Sequence, residues 1–247
     1  MYCELSEKVM KTIDCKNLGF AELNSLIREE NEVELVNCAG QRFIGAGTEN
    51  KRIVIKGVPG NGLASFMSGG EITVFGNVQD QVCDTMNDGK VIVHGLAGDA
   101  SGYAMRGGEI YIEGKAGYRT GIHMKEYGDK KPVIVIGETS GSFLGEYQAG
   151  GLIVVLNSEN SSKPVGFFCG TGMHGGKIVI RTETEPQNVS PKINVKIAEK
   201  EDLAEIEKYV SEFCKYFSRN KKEYMKSRFY VLTPDSKNPY KELYVHN

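Results

Sequence analysis

GGEITVFG at 69–76, DGKVIVHG at 88–95 and GGEIYIEG at 107–114 are three copies of one phrase. Their leading aliphatics Ile72, Val91 and Ile110 stand 19 residues apart, as do the closing glycines Gly76, Gly95 and Gly114, and Ile53 with Gly57 supplies an earlier copy at the same interval. A fixed period of this size marks a solenoid, whose repeats bury their apolar faces only by stacking on one another. Further copies at 133–137, 153–157 and 178–182 follow at 23, 20 and 25 residues, so the later coils carry insertions. Upstream, 33–37 fits 20 residues before Ile53. The spacing thus predicts eight strands in register over 33–182.

Between the strands a second column recurs: Met67, Met86, Met105 and Met124 are also 19 apart, with Tyr147 in the equivalent place of the next coil. Each strand is β-branched and alternates, which suits one face turned into a core, and successive coils can pair only in parallel. The fold expected is mainly β, a right-handed parallel β-helix of about seven to eight coils with short flanking helices. The chain has 30 glycines and no tryptophan, and glycine suits the sharp corners of such coils. Asn61, Asp80 and Asp99, four residues past successive closing glycines, are expected to turn the chain by bonding their own backbone.

The flanks read differently. Leu23, Leu26 and Ile27 lie on one face of a helix over 20–30, and Leu203, Ile206, Val210, Phe213 and Phe217 keep helical spacing over 201–217. The division expected is an N-terminal segment with a capping helix at 1–31, the β-helix at 32–182, and a C-terminal helix with an extended arm at 183–247. Both helices are expected to cover the open ends of the solenoid, where unpaired strand edges invite uncontrolled pairing. The arm carries Phe229, Tyr230, Tyr240 and Tyr244 with Pro234 and Pro239.

Thirty basic against 32 acidic residues give a net charge of −2, so no excess positive charge is present for a phosphate backbone, and nucleic acid is not an expected partner. MYCELSEKVM lacks the layout of a signal peptide and the longest apolar runs are four or five residues, which points to a soluble cytoplasmic protein and no membrane partner. Cys3, Cys15, Cys38, Cys83, Cys169 and Cys214 contain no CxxC pair, arguing for reduced thiols rather than a zinc or iron–sulfur site. His94, His123 and His174 lie on different coils, and no nucleophile–base spacing or paired carboxylates suggest a reaction centre. Recurrent glycines with no following helix also exclude a dinucleotide fingerprint. Expected sites are therefore catalytic none, cofactor-binding none and metal none.

VPGN at 58–61, QD at 79–80 with DTMNDGK at 84–90, GYAMRGGEI at 102–110, GYRTGIHMKEY at 117–127, FLGEYQAGG at 143–151 and GTGMHGG at 170–176 fall at one phase of successive coils. Together with IDCKNL at 13–18 and CAGQRFIG at 38–45, they closely resemble the C-terminal GXGXG domain of the glutamate synthase large subunit, in its free-standing form. The resemblance implies a structural subunit without catalytic residues of its own. Its implied partners are a glutamine amidotransferase chain and an FMN-binding glutamate synthase chain, with FMN and an iron–sulfur cluster on the latter. A weaker resemblance links the GG-x-I-x-V-x-G repeat to a β-helix subunit of formylmethanofuran dehydrogenase. A third reading, a carbohydrate-active solenoid enzyme, needs clustered acids on successive coils. Where the period breaks, the insertion between Gly114 and Val133 is expected to protrude and to offer Arg119, His123, Lys125, Glu126 and Tyr127 as a partner interface, since inserted loops on rigid scaffolds concentrate binding.

Overall fold

The computed structural model describes residues 10–236. Its first elements are β1 (Lys11–Asp14), α1 (Phe20–Glu29), β2 (Glu32–Ala39), β3 (Lys51–Val58), β4 (Ser68–Phe75), β5 (Asp88–Val93) and β6 (Glu109–Ile112). They are followed by β7 (Val133–Ile136), β8 (Ala149–Val155), β9 (Gly175–Arg181), β10 (Ile193–Ile197), α2 (Lys200–Tyr216), α3 (Lys221–Met225) and β11 (Phe229–Pro234). One sheet of 11 strands runs β1-β2-β3-β4-β5-β6-β7-β8-β9-β11-β10. Each neighbouring pair from β1 to β9 is parallel, as a stack of coils requires. The fold is the mainly β parallel solenoid expected from the 19-residue period, with one coil more at its start, because β1 pairs with β2 upstream of Val33.

Val33, Ile53, Ile72, Val91 and Ile110 are partners in register and point into the core. The next partner is Ile134, not Val133, which sits opposite Glu109. A one-residue slip exchanges the faces of a strand, so Ile134 and Ile136 line the interior while Val133 and Val135 look outward. In an unbroken VIVI run, alternation carries no phase information. The methionine column is corrected in the same way: Met67, Met86, Met105 and Met124 are fully buried, but the next place belongs to Gln148. Its backbone N–H donates to Gly145 as that of Met124 donates to Gly121, and its amide bonds the carbonyls of Gly150 and Gly151.

Asn61, Asp80 and Asp99 do not bond their own turns. Their Oδ1 atoms accept the backbone N–H of Asp80, Asp99 and Tyr118 on the following coil, at 3.3, 2.9 and 2.8 Å. The period that sets the strands therefore also sets a ladder of side chain to backbone bonds between coils. Gly76 shows how close the coils run at a corner: a Cβ there would lie 2.3 Å from the carbonyl oxygen of Gly57.

The helices have unequal roles. α1 covers the first coils, with Leu23 and Ile27 fully buried and Asn24 Oδ1 accepting the N–H of Gly45 at 3.1 Å. α2 covers no end. It lies along the outer face of the sheet, where Ile206, Val210, Phe213 and Phe217 form a second core with Ile92, Tyr111, Val133, Val135, Leu152 and Val154. That explains why β6 to β9 read as continuous aliphatic runs: strands buried on both faces do not alternate. Charge pairs pin the helix, Lys90 to Glu212 at 2.7 Å and Lys177 to Asp202 at 2.9 Å. The C-terminal side of the sheet is completed by strands instead, β11 inserting antiparallel between β9 and β10. Residues 229–234 of the expected arm are thus a strand; Pro239, Tyr240, Tyr244 and Cys3 lie outside the described residues.

Candidate partner interface

Each coil closes with a five-residue staircase whose first, third and fifth residues have positive φ. It recurs seven times: Phe43, Gly45 and Gly47; Gly62, Ala64 and Phe66; Gln81, Cys83 and Thr85; Ala100, Gly102 and Ala104; Arg119, Gly121 and His123; Phe143, Gly145 and Tyr147; Phe168, Gly170 and Gly172. Backbone N–H groups of these residues donate alternately to the coil before and the coil after. Gly121 donates to Ser101 at 2.8 Å, and Arg119 and His123 donate to Ser142 and Glu146, each at 2.9 Å. The staircase is thus a second hydrogen-bonded wall of the solenoid.

Its middle step points inward and admits only glycine, alanine or cysteine. A Cβ at Gly102 or Gly121 would lie 2.5 Å from the Cδ1 of Ile134 or Ile153. The outer steps face away from the core, and glycine would suit their backbone without strain. Many instead carry large side chains. Phe43, Phe66 and Phe168 are 44%, 55% and 58% exposed, and Tyr103, Tyr118 and Phe167 beside them are exposed as well. A non-glycine residue in this region costs about 1–2 kcal/mol, and an exposed ring forgoes most of the gain from burial.

The rings are ordered into columns by the coil spacing. His123 stacks on Tyr147 at 5.2 Å with planes 8° apart, and Tyr103 meets His123 edge-on at 5.8 Å. Phe143 stacks on Phe168 at 5.1 Å, the Arg119 guanidinium lies 5.0 Å over the Phe143 ring, and Arg119 Nε donates to Glu146 at 3.0 Å. Such a row of aromatics with one arginine has the composition of an interface hot spot.

The five residues marked in the sequence divide among three places. Arg119 and His123 stand on the outer steps of the staircase, and Lys125 follows exposed. Glu126 is part of the frame, its Oε1 accepting the N–H of Gly151 at 3.0 Å. Tyr127, 68% exposed, opens a turn closed by paired backbone bonds with Lys130. Sequence reasoning missed Phe43, Phe66, Tyr103, Tyr118, Phe143, Tyr147, Phe167 and Phe168. For Phe43, Phe66, Phe143, Tyr147 and Phe168 the signal was an aromatic at a phase where other coils carry glycine, but no coil has glycine at all three steps.

A groove of about 560 Å³ between the strand corners and α2 is lined by Lys90, Glu109, Asp88, Lys130 and Lys208, whose charges are paired with one another or with Glu212. Burial opposes the charge on Lys90, yet bonds to Glu212 and Tyr216 outweigh it and raise its pKa. Among the described residues no three His, Cys, Asp or Glu side chains are grouped to hold a metal ion, and no helix is long and apolar enough to cross a membrane.

The model of the GXGXG motif family matches residues 27–235, the stretch that contains all seven staircases. The chain belongs to that family. A relative from Methanocaldococcus jannaschii, named "Uncharacterized protein MJ1350", is 47% identical over 249 residues, covering 94% of this chain and 95% of its own. Among solved structures, a chain of the formyltransferase/hydrolase complex FhcABCD from Methylorubrum extorquens, determined with methylofuran, is similar with a TM-score of 0.63. It covers 91% of this chain and 96% of that chain at 18% identity, a likeness of fold.

Proposed function

We propose that this GXGXG chain is a non-catalytic scaffold subunit of a multi-chain enzyme and that partner chains dock on the aromatic side of its staircase. The observation that carries the reading is the placement of exposed Phe43, Phe66, Phe168, Arg119 and His123 on backbone steps that glycine would occupy without strain. A large side chain that is placed on a strained backbone step and left largely exposed is accounted for by a contact made in a larger assembly. Membership of the structural neighbour in a multi-subunit complex supports the same reading.

The partners we propose, supported by the resemblance of 117–127 and 143–151 to the glutamate synthase domain, are a glutamine amidotransferase chain and a synthase chain that brings FMN and an iron–sulfur cluster. This chain would hold the two in fixed relation. Isolation of the native complex through a tag on this chain tests the assignment. The expected co-purified material absorbs as a flavoprotein and forms glutamate from glutamine and 2-oxoglutarate when reduced. The similarity to a chain of a formyltransferase/hydrolase complex favours a second reading, in which the same scaffold serves formyl-group chemistry; co-purification of formyl-transferring chains instead would select it.

The face is tested by Arg119→Glu with Lys125→Glu. The double variant is expected to keep its circular dichroism spectrum, because both side chains are exposed, and to lose partner chains in the pull-down. Retention of the partners would remove this face from the interface.

A further inference from the structure

Two buried cysteines meet at the N-terminal edge of the sheet, away from the staircase. Ile13 and Leu35 are register partners in β1 and β2, both inward. The next inward residue of β1 is Cys15, whose N–H donates to Val36 at 2.9 Å. In β2 the register shifts between Leu35 and Cys38, with Asn37 at φ 56. That extra residue carries Cys38 inward to the place beside Cys15. Cys15 is fully buried and Cys38 is 4% exposed.

Gln41 clamps the pair. Its Oε1 accepts the Cys38 thiol at 3.4 Å and the N–H of Ala39 at 2.7 Å, while its Nε2 donates to the carbonyl of Cys15 at 2.9 Å. Gln41 thus ties the Cys38 side chain to the Cys15 backbone and holds the two buried residues at one place. Same-facing residues of adjacent strands are about 4.8 Å apart, inside the window of about 4.4–6.8 Å between Cα atoms that a disulfide requires. Of the other cysteines among the described residues, Cys83 and Cys169 belong to the staircases of separate coils and Cys214 lies on α2.

We infer that Cys15 and Cys38 form an oxidation site, a dithiol that closes reversibly to a disulfide and staples the edge strand β1 to β2. The clamp prepares the chemistry. The bond from the Cys38 thiol to Gln41 Oε1 keeps the proton on Cys38, which leaves Cys15 as the thiol that ionises first. Cys15 is thus the attacking sulfur and Cys38 the resolving one. With hydrogen peroxide as oxidant, the Cys15 thiolate attacks one oxygen, the O–O bond breaks, and hydroxide leaves to become water, giving a sulfenic acid. Cys38, losing its proton, attacks that sulfur; the S–S bond forms, the S–O bond breaks, and a second water leaves. Two thiols and one peroxide become one disulfide and two waters. Access comes by local opening of β1, a four-residue edge strand of the kind that frays first.

The test treats the folded full chain with dilute hydrogen peroxide and maps its cysteines by mass spectrometry without reduction. The expected product is one linked peptide pair, Cys15 to Cys38, lighter by two hydrogen atoms and reversed by dithiothreitol. Hydrogen exchange at the Cys15 amide should slow by about tenfold or more on oxidation, since stapling suppresses fraying. In Cys38→Ser the link should vanish and Cys15 should accumulate as a sulfenic acid, whereas Cys83→Ser should leave the link unchanged. Cys15 and Cys38 both still alkylated after denaturation of the oxidised wild-type chain would overturn the inference. So would a peroxide-induced link from Cys15 or Cys38 to any other cysteine. The wild-type mapping decides even where the Cys38 variant fails to fold.

Discussion

Phe168→Asn separates the role of an aromatic step in the fold from its role in a contact. Asparagine tolerates the left-handed region, so the change relieves about 1 kcal/mol of backbone cost. Against that, Phe168 is 58% exposed and buries less than half of a side chain whose full burial is worth about 1.5–3 kcal/mol, or roughly 1 kcal/mol. Its stack on Phe143 at 5.1 Å adds about 0.5–1.5 kcal/mol. The net loss of stability is expected at about 0.5–1.5 kcal/mol. Phe213→Ala is the comparison, because Phe213 is 1% exposed on the sheet-facing side of α2 and its removal should cost about 3–5 kcal/mol. Urea unfolding of the isolated chains gives both numbers, and a pull-down with the co-purified partners reads the contact. Phe168→Asn should weaken partner binding by about 30-fold or more, the level of a hot-spot residue. If it destabilised the chain as much as Phe213→Ala, the ring would belong to the core and the argument from spare side chains would fail. If it changed neither stability nor binding, the interface would lie elsewhere.

The inward steps should behave in the opposite way. Gly121→Val places a Cβ 2.5 Å from Ile153 Cδ1 on a backbone with φ of 73°, and a loss above about 3 kcal/mol is expected in denaturant unfolding. Asp202 at the start of α2 should give acid sensitivity. Burial works against its charge, but bonds from Lys177, the N–H of Glu199 and Lys196 hold its pKa at about 2, below the ordinary 3.8. A depressed carboxyl stabilises the fold above its unfolded pKa and loses that contribution as pH falls through the folded value. Wild type should therefore lose about 2 kcal/mol more than Asp202→Asn between about pH 4 and pH 2, read as the difference between two urea titrations across that range.

The period made the fold legible because one spacing governed three separate features. Ile53, Ile72, Val91 and Ile110, the methionines, and Asn61, Asp80 and Asp99 all repeat at 19 residues, and each proved to be a column of the solenoid. Legibility ended where insertions reset the phase. At Val133 four aliphatics in a row gave no alternation to read, and at 147–148 the methionine was replaced by a buried glutamine. The position of α2 was hidden for a related reason: an amphipathic helix declares which face it buries but not against what. The continuous aliphatic strands β7 and β8 were the missing clue, since a sheet that is apolar on both faces must be covered on both.

The staircase was hidden more deeply, because its backbone conformation is repeated while its residues are not. Only the inward step is held to small side chains, through the approach of the isoleucine column; the outer steps are free to vary, as Gly62, Gln81, Ala100, Arg119 and Phe168 at one phase demonstrate. This division of labour suits a scaffold. Inter-coil hydrogen bonds fix the outer side chains in columns about 4.8 Å apart, so a partner docking there, as proposed, would meet a surface already ordered before contact, with little rotamer freedom left to lose. The stacked pairs His123–Tyr147 and Phe143–Phe168 show such ordering in the chain by itself. Variation at the outer steps can therefore change which partner is recognised while the inner step preserves the wall that presents it.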